Sequence, residues 1–558
     1  MRALSTLLAI TLLATPALAR TGGMVAAANP IATEAGLAVL RHGGSAIDAA
    51  VAVQATLGLV EPQSSGVGGG AFLLYYDAKT RTVSAYDGRE FAPASATPAL
   101  FLGPDGKPLP FFKAVLSGRS AGVPGAIAAL ALAHKAHGRL KWASLYAAAA
   151  RLADDGFIVS PRLANYIAGH APQASTPDVA AYFTRPDGQR YRAGDRLKNP
   201  AYAATLRLIG QEGPDAILKG RIARDIVAKL AEAPLPGGMT MDDLAAYRPR
   251  QTPALCRPWL RWVACEPPAP SGGPVTLEAL GILGHTDIAA HGPTDAEGWY
   301  LLSQGLRLAE ADDLRFIADP AFVAVPVQGL LDPSYLAARA SLIGPSAGPA
   351  PAPGHPAGAP PAGPDHTREP GGTSSFTIVD PAGDVVSMTT TVESVFGDGR
   401  MVDGFLLNNE LTDFSFAPLR TDGAPAANAV GPRKRPRSSM APAIILTRDG
   451  RFVAAVGSPG GLAIPSFVVK TLIGLFAWNL PVQDAIDLPN LVAIGDFYGS
   501  EPAKYAPGVV AALAAKGVNL KGGFAGEGSG LHGIVLRNGR LEGGADPRRE
   551  GVAKACCG

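Results

Sequence analysis

The sequence has little cysteine, little histidine and almost no net charge. Its 49 basic and 47 acidic residues, in a chain of 558, leave a formal charge of +2. Such a balance does not predict a nucleic acid or an anionic membrane as a partner. The four cysteines include an adjacent pair, Cys556 and Cys557, that does not match a zinc spacing. We therefore expect neither a metal ion nor a cofactor.

Two segments that suggest binding motifs each lack an essential feature. The glycine-rich stretch from Gln63 to Gly70 has no Lys-Ser or Lys-Thr ending, so it does not predict a nucleotide site. It is better interpreted as a tight backbone passage before a strand. The basic run from Gly431 to Ser439 is short and broken by proline, which disfavours nucleic acid as its ligand.

Beyond the first residues, the sequence has no run that predicts a transmembrane helix. Arg2, the apolar run 4–13 and the small residues at 17–19 are typical of a cleaved secretory signal. An uncleaved anchor is disfavoured because the apolar run is too short to span a bilayer comfortably. We predict a signal peptide at residues 1–19 and an exported protein, periplasmic or secreted, without a stable membrane span.

The remaining cysteines, Cys256 and Cys265, flank a possible hairpin. Export permits a disulfide between them. The separation of their Cα atoms decides whether the bond forms, and the sequence leaves this open.

Local sequence signals predict the type and position of several helices and hairpins. Asn29-Pro30 predicts the start of one helix, and Ser45 to Asp48 predicts a capping box at the next. Residues 120–250 look mostly helical. The patterns at 71–86 and 444–456 predict hairpins. With 47% hydrophobic residues, the chain is long enough for two or more structural units or for one large two-part fold.

Two polar or irregular segments are interpreted as structural. Glu310, Asp312 and Asp313 form an acidic patch on a predicted helix, which favours a solvated face over a metal site because no histidine accompanies it. Residues 344–370 are rich in Pro, Ala and Gly, which resist packing and stay extended. This segment is either an ordinary linker or one that lets a newly cut chain end move away.

The stretch from Gly371 to Asp380 is the central feature of the sequence. It predicts a strand that turns at residues 381–383 and returns as a second strand. If Asp380 pairs with Asp384, Thr373 lies opposite Thr391, with side chains about 4.5–5.5 Å apart at Cβ. Glu393 should then share the face of Thr391 if the strand continues.

This arrangement suggests that the chain cuts itself between Gly372 and Thr373. The new end would supply an α-amine with a pKa of about 7.7–8.0. That amine can serve as the base for the threonine hydroxyl, which is otherwise a poor nucleophile. The alternative is that Thr373 is there only because β-branched residues suit strands.

A second glycine-rich segment, Gly457 to Gly461, precedes an apolar helix that ends near Trp478. Free N–H groups at such a junction, at the positive end of a helix, can form an oxyanion hole. The alternative is a connection without a ligand. It is not the Gly-x-Ser-x-Gly elbow, because no serine lies between two flanking glycines.

Taken together, these motifs resemble the γ-glutamyltranspeptidases (glutathione hydrolases), a family of N-terminal-nucleophile hydrolases. The resemblance runs from Asn29-Pro30, through Gly68 to Gly70 and Arg89-Glu90, to the Gly457–Gly461 loop. It implies an α+β fold, a four-layer αββα sandwich made as one precursor. Cutting would give a large chain, 20–372, and a small chain, 373–558.

The resemblance also implies roles for individual residues. Thr373 matches the nucleophile, and Thr391 the threonine that supports it. The α-carboxylate of a γ-glutamyl substrate would be held by Arg89, Ser438 and Ser439. Its α-ammonium would be held by Glu410 and Asp413. The oxyanion-hole glycines match Gly460 and Gly461.

The chain departs from the family in two places. Many members have Asn where this chain has Glu393, so the ammonium pocket gains a third carboxylate, or the substrate has changed. Close like charges raise a pKa, so one of these carboxyls would be protonated. The loop from Ala417 to Ala427 is short and lacks an aromatic residue, which predicts a more open site.

Three functions follow as hypotheses. The leading one is hydrolysis or transfer of a γ-glutamyl group from a glutathione-like substrate to water or an amine. A related acylase acting on glutaryl-type amides, such as β-lactam side chains, is disfavoured by the acidic cluster because those substrates lack the ammonium. A catalytically dead exported binding protein is disfavoured by the match at Thr373.

Overall fold

The computed structural model describes residues 22–361, 365, 367, 369, 371–417, 426–522 and 528–557. The signal peptide predicted at residues 1–19 lies outside these ranges. Within them, no helix combines the length and apolar character needed to cross a membrane.

The strands of the described ranges are short to medium in length. They are β1 Gly23–Ala27, β2 Gly70–Asp77, β3 Thr82–Asp87, β4 Phe157–Ile158, β5 Arg196–Leu197, β6 Arg250–Pro253, β7 Leu255–Trp259, β8 Trp262–Glu266, β9 Gly372–Val379, β10 Val385–Glu393, β11 Met401–Val402, β12 Phe405–Leu406, β13 Ala443–Thr447, β14 Phe452–Gly457, β15 Leu491–Ile494, β16 Phe497–Ser500, β17 His532–Arg537, β18 Arg540–Ala545 and β19 Val552–Cys556.

The α-helices are concentrated in the first part of the chain. They are α1 Pro30–Arg41, α2 Ala46–Val60, α3 Phe111–Val115, α4 Ala126–His137, α5 Trp142–Asp155, α6 Pro161–Ile167, α7 Pro177–Tyr182, α8 Pro200–Glu212, α9 Asp215–Leu218, α10 Gly220–Leu230, α11 Met241–Ala246, α12 Gly273–Gly284, α13 Ala296–Phe316, α14 Val327–Leu330, α15 Pro333–Ala340, α16 Ile464–Phe476, α17 Val482–Asp487 and α18 Val509–Ala515.

Two large antiparallel sheets form the middle of the molecule. One has seven strands in the order β19-β1-β9-β10-β2-β3-β6, and the other has six in the order β18-β17-β14-β13-β8-β7. Apolar side chains such as Leu74, Val379, Ile444 and Ile534 are buried together between them. Helices α1, α2 and α4 pack on the outer face of the first sheet, and α12 and α16 pack on that of the second. The result is the predicted four-layer αββα sandwich.

The first two helices begin where their capping residues predict. The Asn29 side chain accepts a hydrogen bond from the N–H of Ile31, and Pro30 occupies the first turn of α1. Ser45 and Asp48 form a reciprocal capping box at α2. Every residue of α2 is buried, as expected for a helix that is apolar all round.

The central hairpin has the predicted register. The N–H of Asp380 donates to the carbonyl of Asp384 at 3.0 Å, and Thr391 lies opposite Thr373. Strand β9 pairs with β1 on its other edge, and β10 pairs with β2. The hairpin therefore lies in the interior of the seven-stranded sheet, where neighbours on both sides hold its backbone.

The hairpin suspected between Cys256 and Cys265 is present, and a disulfide links its two strands. Cys256 on β7 lies opposite Cys265 on β8. The two residues form a disulfide, which the sequence had left open.

The interpretation of the acidic patch on α13 as a solvated face is wrong. Glu310, Asp312 and Asp313 are all buried. Asp312 pairs with Arg339 at 3.2 Å, and Asp313 lies 3.8 Å from Arg437. Both arginines come from distant segments, so the sequence near α13 gave no sign of them.

The Pro-Ala-Gly segment is only partly as predicted. Its described residues contain no helix or strand, in keeping with its composition. Its end nevertheless does not stay extended in solvent, since Asp365, Thr367 and Glu369 are buried. These three side chains enter the region around Thr373 that is described next.

Candidate active site

Thr373 and Thr391 form a hydroxyl pair at the end of the β9–β10 hairpin. The Thr373 hydroxyl donates to Thr391 Oγ1 at 3.1 Å, and the Thr391 hydroxyl donates to the Gly372 carbonyl at 2.9 Å. Both threonines are buried. The Thr391 hydroxyl therefore contacts both the predicted nucleophile and the carbonyl of the peptide bond predicted to break.

The strand does not continue regularly to Glu393. The register shifts between Thr391 and Glu393, which pairs with Gly372 and has a positive φ of 75°. Its N–H donates to Thr391 Oγ1 at 2.8 Å. A side chain placed on Gly372 would meet the Glu393 carbonyl at 2.3 Å, so this approach requires glycine there. The bulge, rather than strand alternation, directs the Glu393 side chain into the site.

The predicted ammonium pocket contains an ion-paired cluster. Arg89 follows β3 and is fully buried. It pairs with Glu410 and, at 2.6 Å, with Asp413. It also donates to the carbonyls of Pro436 and Arg437. In the uncut chain, the guanidinium is thus directed to protein groups.

The carboxyls of this cluster are close enough to share protons. Glu393 Oε2 accepts hydrogen bonds from the Ser394 hydroxyl at 2.6 Å and from the Asn409 amide. Burial, with the neighbouring charge of Asp413, raises the pKa of Glu393 well above its ordinary value. Burial raises the pKa of Asp413 to about 7. Glu393 therefore carries a proton near neutral pH, as burial and the close charge of Asp413 require.

One oxygen of each of three carboxyls accepts no hydrogen bond from an N–H or hydroxyl group within the described ranges. They are Glu393 Oε1, Glu410 Oε2 and Asp413 Oδ1. Of these residues, Glu393 and Asp413 are hydrogen-bonded to each other through a shared proton. Glu410 Oε2 is left without a donor, which is costly for a buried acceptor. The site is therefore built to receive a group with N–H donors.

A second polar cluster surrounds Ser438 and Ser439. The Ser438 N–H donates to the Pro270 carbonyl at 2.8 Å, and the Ser438 hydroxyl accepts from the N–H of Met440 at 3.2 Å. The backbone N–H and the hydroxyl of Ser439 instead donate to Glu369, at 3.0 and 2.5 Å. An internal carboxylate thus occupies this side of the site.

The glycine loop lies beside the bond predicted to break. Gly460 and Gly461 join β14 to a short 3-10 helix that leads into α16. Both have positive φ, 143° and 57°, in the region that favours glycine. A Cβ placed on Gly371 would lie 3.6 Å from Gly460 and 3.8 Å from the nitrogen of Gly461. The predicted oxyanion donors are therefore adjacent to the cut site.

Buried side chains from other segments contact the backbone and side chain next to the predicted nucleophile. Arg549 donates to the Thr373 carbonyl at 2.9 Å. The Ser374 hydroxyl donates to Glu61 at 2.9 Å, and Glu61 pairs with Arg162 at 2.8 Å. These contacts fix the residues on which the hydroxyl geometry depends.

Most of the predicted site residues line one cavity. Arg89 supports it through Glu410 and Asp413. The residues lining the cavity are Glu369, Thr373, Thr391, Glu393, Glu410, Asp413, Ser438, Ser439, Met440, Gly461 and Ile464.

Three residues of the site were not predicted from the sequence: Glu369, Arg437 and Arg549. Glu369 lies four residues before Thr373, and Arg437 directly precedes the serine pair; these positions were the only signals available. Much of the loop predicted to leave the site open, Ala417 to Ala427, lies outside the described residues. Within those residues, no group of three or more His, Cys, Asp or Glu side chains converges as a metal site would.

Comparison with known proteins gives a consistent result over most of the chain. A family model described as Gamma-glutamyltranspeptidase matches residues 32–556. The chain is 37% identical over 482 residues to the glutathione hydrolase proenzyme of Bacillus subtilis strain 168, covering 84% of this chain and 80% of that protein. It is 33% identical over 552 residues to the glutathione hydrolase proenzyme of Escherichia coli K12, covering 94% and 90%.

A solved structure shares the complete architecture. The cephalosporin acylase from Bacillus halodurans superposes with a TM-score of 0.84 at 27% identity, covering 99% of this chain and 100% of that one. Relatives with two different named activities therefore share this fold. The chemistry of the pocket has to distinguish between them.

Proposed function

Because the chain belongs to the gamma-glutamyltranspeptidase family, we propose that it hydrolyses or transfers γ-glutamyl groups of glutathione-like substrates. The proposed nucleophile is Thr373, freed by self-cleavage after Gly372. The acyl group would pass first to Thr373 and then to water or an acceptor amine.

The hydroxyl pair supports the cleavage step. Thr373 Oγ1 attacks the Gly372 carbonyl carbon, and the Thr391 hydroxyl, which donates to that carbonyl oxygen, stabilises the developing oxyanion. The C–N bond breaks, and the proton from the hydroxyl goes to the departing nitrogen. Water hydrolyses the resulting ester, leaving a carboxylate on Gly372 and a free amine and hydroxyl on Thr373.

The same groups serve the reaction with substrate. The freed amine takes the proton from the Thr373 hydroxyl as it attacks the γ-carbonyl. The amine returns that proton to the leaving amine of the substrate. N–H groups at Gly460 and Gly461 would stabilise the oxyanion, and the position of this loop beside Gly371 supports that role. Water or an acceptor amine then attacks the acyl-enzyme and regenerates Thr373.

The observation that carries the choice of substrate is the group of three carboxyls, Glu393, Glu410 and Asp413, that line the cavity beside Thr373. A primary ammonium has three N–H donors and a positive charge, which suit a pocket of carboxyls. A γ-glutamyl group brings such an ammonium, whereas a glutaryl group brings only a methylene group there and would leave Glu410 Oε2 without a donor. Sites built to pair a polar group discriminate strongly against analogues that lack it.

The second candidate is an acylase for glutaryl-type amides. It is supported by the close structural similarity to the cephalosporin acylase. The protonation of Glu393 also supports it, because a neutral carboxyl is compatible with a neutral methylene group of the substrate. The second oxygen of Glu410, Oε2, weighs against it, because this oxygen has no hydrogen-bond donor within the described ranges and a glutaryl chain supplies none.

The test is a comparison of kcat/KM for γ-glutamyl and glutaryl p-nitroanilides, with Thr373→Ala as the blank and Glu393→Gln as the matched variant. We expect the wild type to prefer the γ-glutamyl compound by roughly 100-fold, as loss of charge-assisted hydrogen bonds predicts. Glu393→Gln should narrow that preference. Equal or better turnover of the glutaryl compound would establish the acylase instead.

We also propose that the protein is exported and acts outside the cytoplasm as a large chain, 20–372, and a small chain, 373–558. The disulfide between Cys256 and Cys265 supports an oxidising compartment. Fractionation of the native host, followed by N-terminal sequencing of both chains, tests this proposal. Recovery in the cytoplasm with an intact residue 1–19 segment would contradict it.

A further inference from the structure

A second cavity lies between helix α12, the β7–β8 hairpin and the region where α14 leads into α15. Its volume is about 440 Å³, within the range of about 300–1,000 Å³ that is usual for small-molecule sites. Among the described residues, none lines both this cavity and the one at Thr373. A ligand bound here would therefore not compete directly for the proposed catalytic pocket.

The walls of the cavity are largely apolar, and one face of α12 supplies much of them. Four residues of this face recur at helical spacing: Leu277, Leu280, Gly281 and Gly284. Leu331 and Leu336 add further buried apolar surface. At Gly284, an added Cβ would meet only the indole ring of Trp259 within 4 Å, with Cδ1 at 3.6 Å and Nε1 at 3.9 Å. The cavity therefore has space and apolar partners for a hydrocarbon chain.

The indole N–H of Trp259 is a buried donor at the wall of this cavity. Trp259 lines the cavity and is 4% exposed. Its Nε1 has no hydrogen-bond partner within the described ranges. The ring edge that carries Nε1 faces Gly284, which lines the same cavity. A buried donor without an acceptor is unfavourable, so the cavity favours an occupant that brings an acceptor.

Arg257 adds a positive charge on the same side of β7. Arg257 and Trp259 are two residues apart on a regularly paired strand, so their side chains face the same way. The guanidinium donates to the Cys256 carbonyl at 3.0 Å and to the Gln328 side chain at 2.7 Å. These bonds use two of its five N–H donors. Within the described ranges no carboxylate pairs with it, so its charge is available to an anionic group.

The negative charge at the rim is already engaged. Asp332 lines the cavity and caps α15. Its Oδ1 accepts hydrogen bonds from the N–H groups of Ser334 at 2.9 Å and Tyr335 at 3.2 Å, and from the Ser334 hydroxyl. The N-terminus of a helix stabilises such a carboxylate. Arg257 has no comparable partner, and the cavity therefore favours an anion over a cation.

We propose that this cavity binds a carboxylic acid with an apolar chain. The carboxylate accepts hydrogen bonds from Arg257 and from the indole N–H of Trp259, and the chain lies along the α12 face. An apolar wall with a few placed polar groups is the usual pattern of a small-molecule site. The inference goes beyond the proposed function, because this ligand needs neither an amide nor an ammonium group.

Titration of octanoate onto the purified protein, followed by calorimetry and by ligand-observed NMR, tests the proposal. We expect saturable binding with a Kd of roughly 1 mM or tighter, as is reasonable for a ligand of this size. Octanamide lacks the charge and octylamine reverses it. Each should bind roughly tenfold more weakly than octanoate, since neither forms the charge-assisted hydrogen bond to Arg257.

Gly284→Leu is the sharpest variant because its side chain enters the cavity. Gly284 ends α12 in helical conformation, and the space at its Cβ position allows leucine there without a clash. We expect octanoate binding to weaken by at least about tenfold, because the chain loses its place. Gly292→Leu is the matched control. An added Cβ at Gly292 meets nothing within 4 Å, and Gly292 does not line the cavity, so octanoate should bind as in wild type.

Arg257→Met tests the charge separately from the space. It should weaken octanoate by roughly tenfold and octanamide by less than about twofold. Arg261→Met is its control on the same hairpin. The Arg261 guanidinium lies over the Trp262 ring, 4.7 Å from its centroid, and does not line the cavity, so this variant should leave the Kd for octanoate unchanged.

Each outcome decides the inference separately from catalysis. Gly284→Leu should turn over γ-glutamyl p-nitroanilide as wild type does, and a failure of that activity in all variants would leave the binding test intact. Octanoate binding that survives Gly284→Leu would place the ligand elsewhere and overturn the proposal. Tighter binding of octylamine than of octanoate, or no saturable binding of octanoate, would overturn it as well. A dimer in solution that Gly284→Leu disrupts would show that a second copy covers this face instead.

Discussion

Thr373 and Thr391 face each other across β9 and β10 with their hydroxyl oxygens 3.1 Å apart, and the second also donates to the Gly372 carbonyl. The pair connects the proposed nucleophile to the bond proposed to break. Both threonines lie on strands in the interior of a seven-stranded sheet, with a neighbouring strand on each side. The predictions for self-cleavage follow from this geometry.

Thr391→Val should slow self-cleavage by roughly 10²- to 10³-fold, the effect of losing one oxyanion donor. Valine keeps the shape of threonine and removes only the hydroxyl. Thr389→Val is the matched control, since Thr389 lies two residues earlier on β10 and its hydroxyl has no hydrogen-bond partner within the described ranges. Denaturing electrophoresis over time measures the conversion of one band into two. Equal rates for the two variants would exclude the proposed role of Thr391.

Thr373→Ala should remain a single chain, because no hydroxyl is left to attack the Gly372 carbonyl. Thr373→Ser should still be cut, since it keeps the hydroxyl and loses only a methyl group. Intact-mass measurement of both purified variants distinguishes these outcomes. A Thr373→Ala protein found as two chains ending and beginning at 372 and 373 would remove Thr373 from processing.

The hairpin could be predicted from the sequence because its register depends on local information. The turn after Asp380 and the alternation of the two strands suffice to place Thr373 opposite Thr391. Glu393 could not be placed in this way. Its positive φ and the register shift before it depend on the close approach of Gly372. No local sequence pattern predicts that approach.

The parts of the site that were missed depend on contacts between distant segments. The sequence around Glu310 and Asp313 predicts a solvated face. In the structure, Arg437 lies beside them, although it is more than a hundred residues later in the chain. Glu369 belongs to a segment whose composition predicts no packing. Its burial comes from the donors of Arg437 and Ser439. Sequence patterns indicate elements and their faces, but they do not indicate which charges meet.

KM for γ-glutamyl substrates should rise as pH falls below about 7. Burial raises the pKa of Asp413 to about 7, and a protonated carboxyl no longer attracts the substrate ammonium. Deprotonation of Asp413 at higher pH creates the negative charge that binds the substrate ammonium. KM therefore falls as pH increases through this range. The charge of Glu369 contributes to the raised pKa in the uncut chain, so the transition in cut enzyme should lie at or below this pH.

KM for the γ-glutamyl anilide measured between pH 5 and 8 checks this dependence. We expect increases of up to about tenfold per pH unit below the transition, the limit for one essential ionisation. Asp413→Asn should abolish the transition. A transition near pH 4, the range of an unperturbed aspartate, would show that burial does not control this carboxyl in the cut enzyme.

Arg549→Met should lower kcat by about tenfold and leave KM for the γ-glutamyl anilide within about twofold of wild type. Arg549 donates to the Thr373 carbonyl at 2.9 Å and is absent from the cavity lining. We therefore expect Arg549 to hold the backbone of Thr373, the proposed nucleophile, without touching the substrate. Arg548→Met is the matched control, because the neighbouring arginine pairs with Glu501 at 2.5 Å and Asp546 at 3.0 Å instead. That variant should lower thermal stability with little change in kcat. A KM increase in Arg549→Met as large as its loss of kcat would mean that Arg549 shapes the binding pocket rather than the position of Thr373.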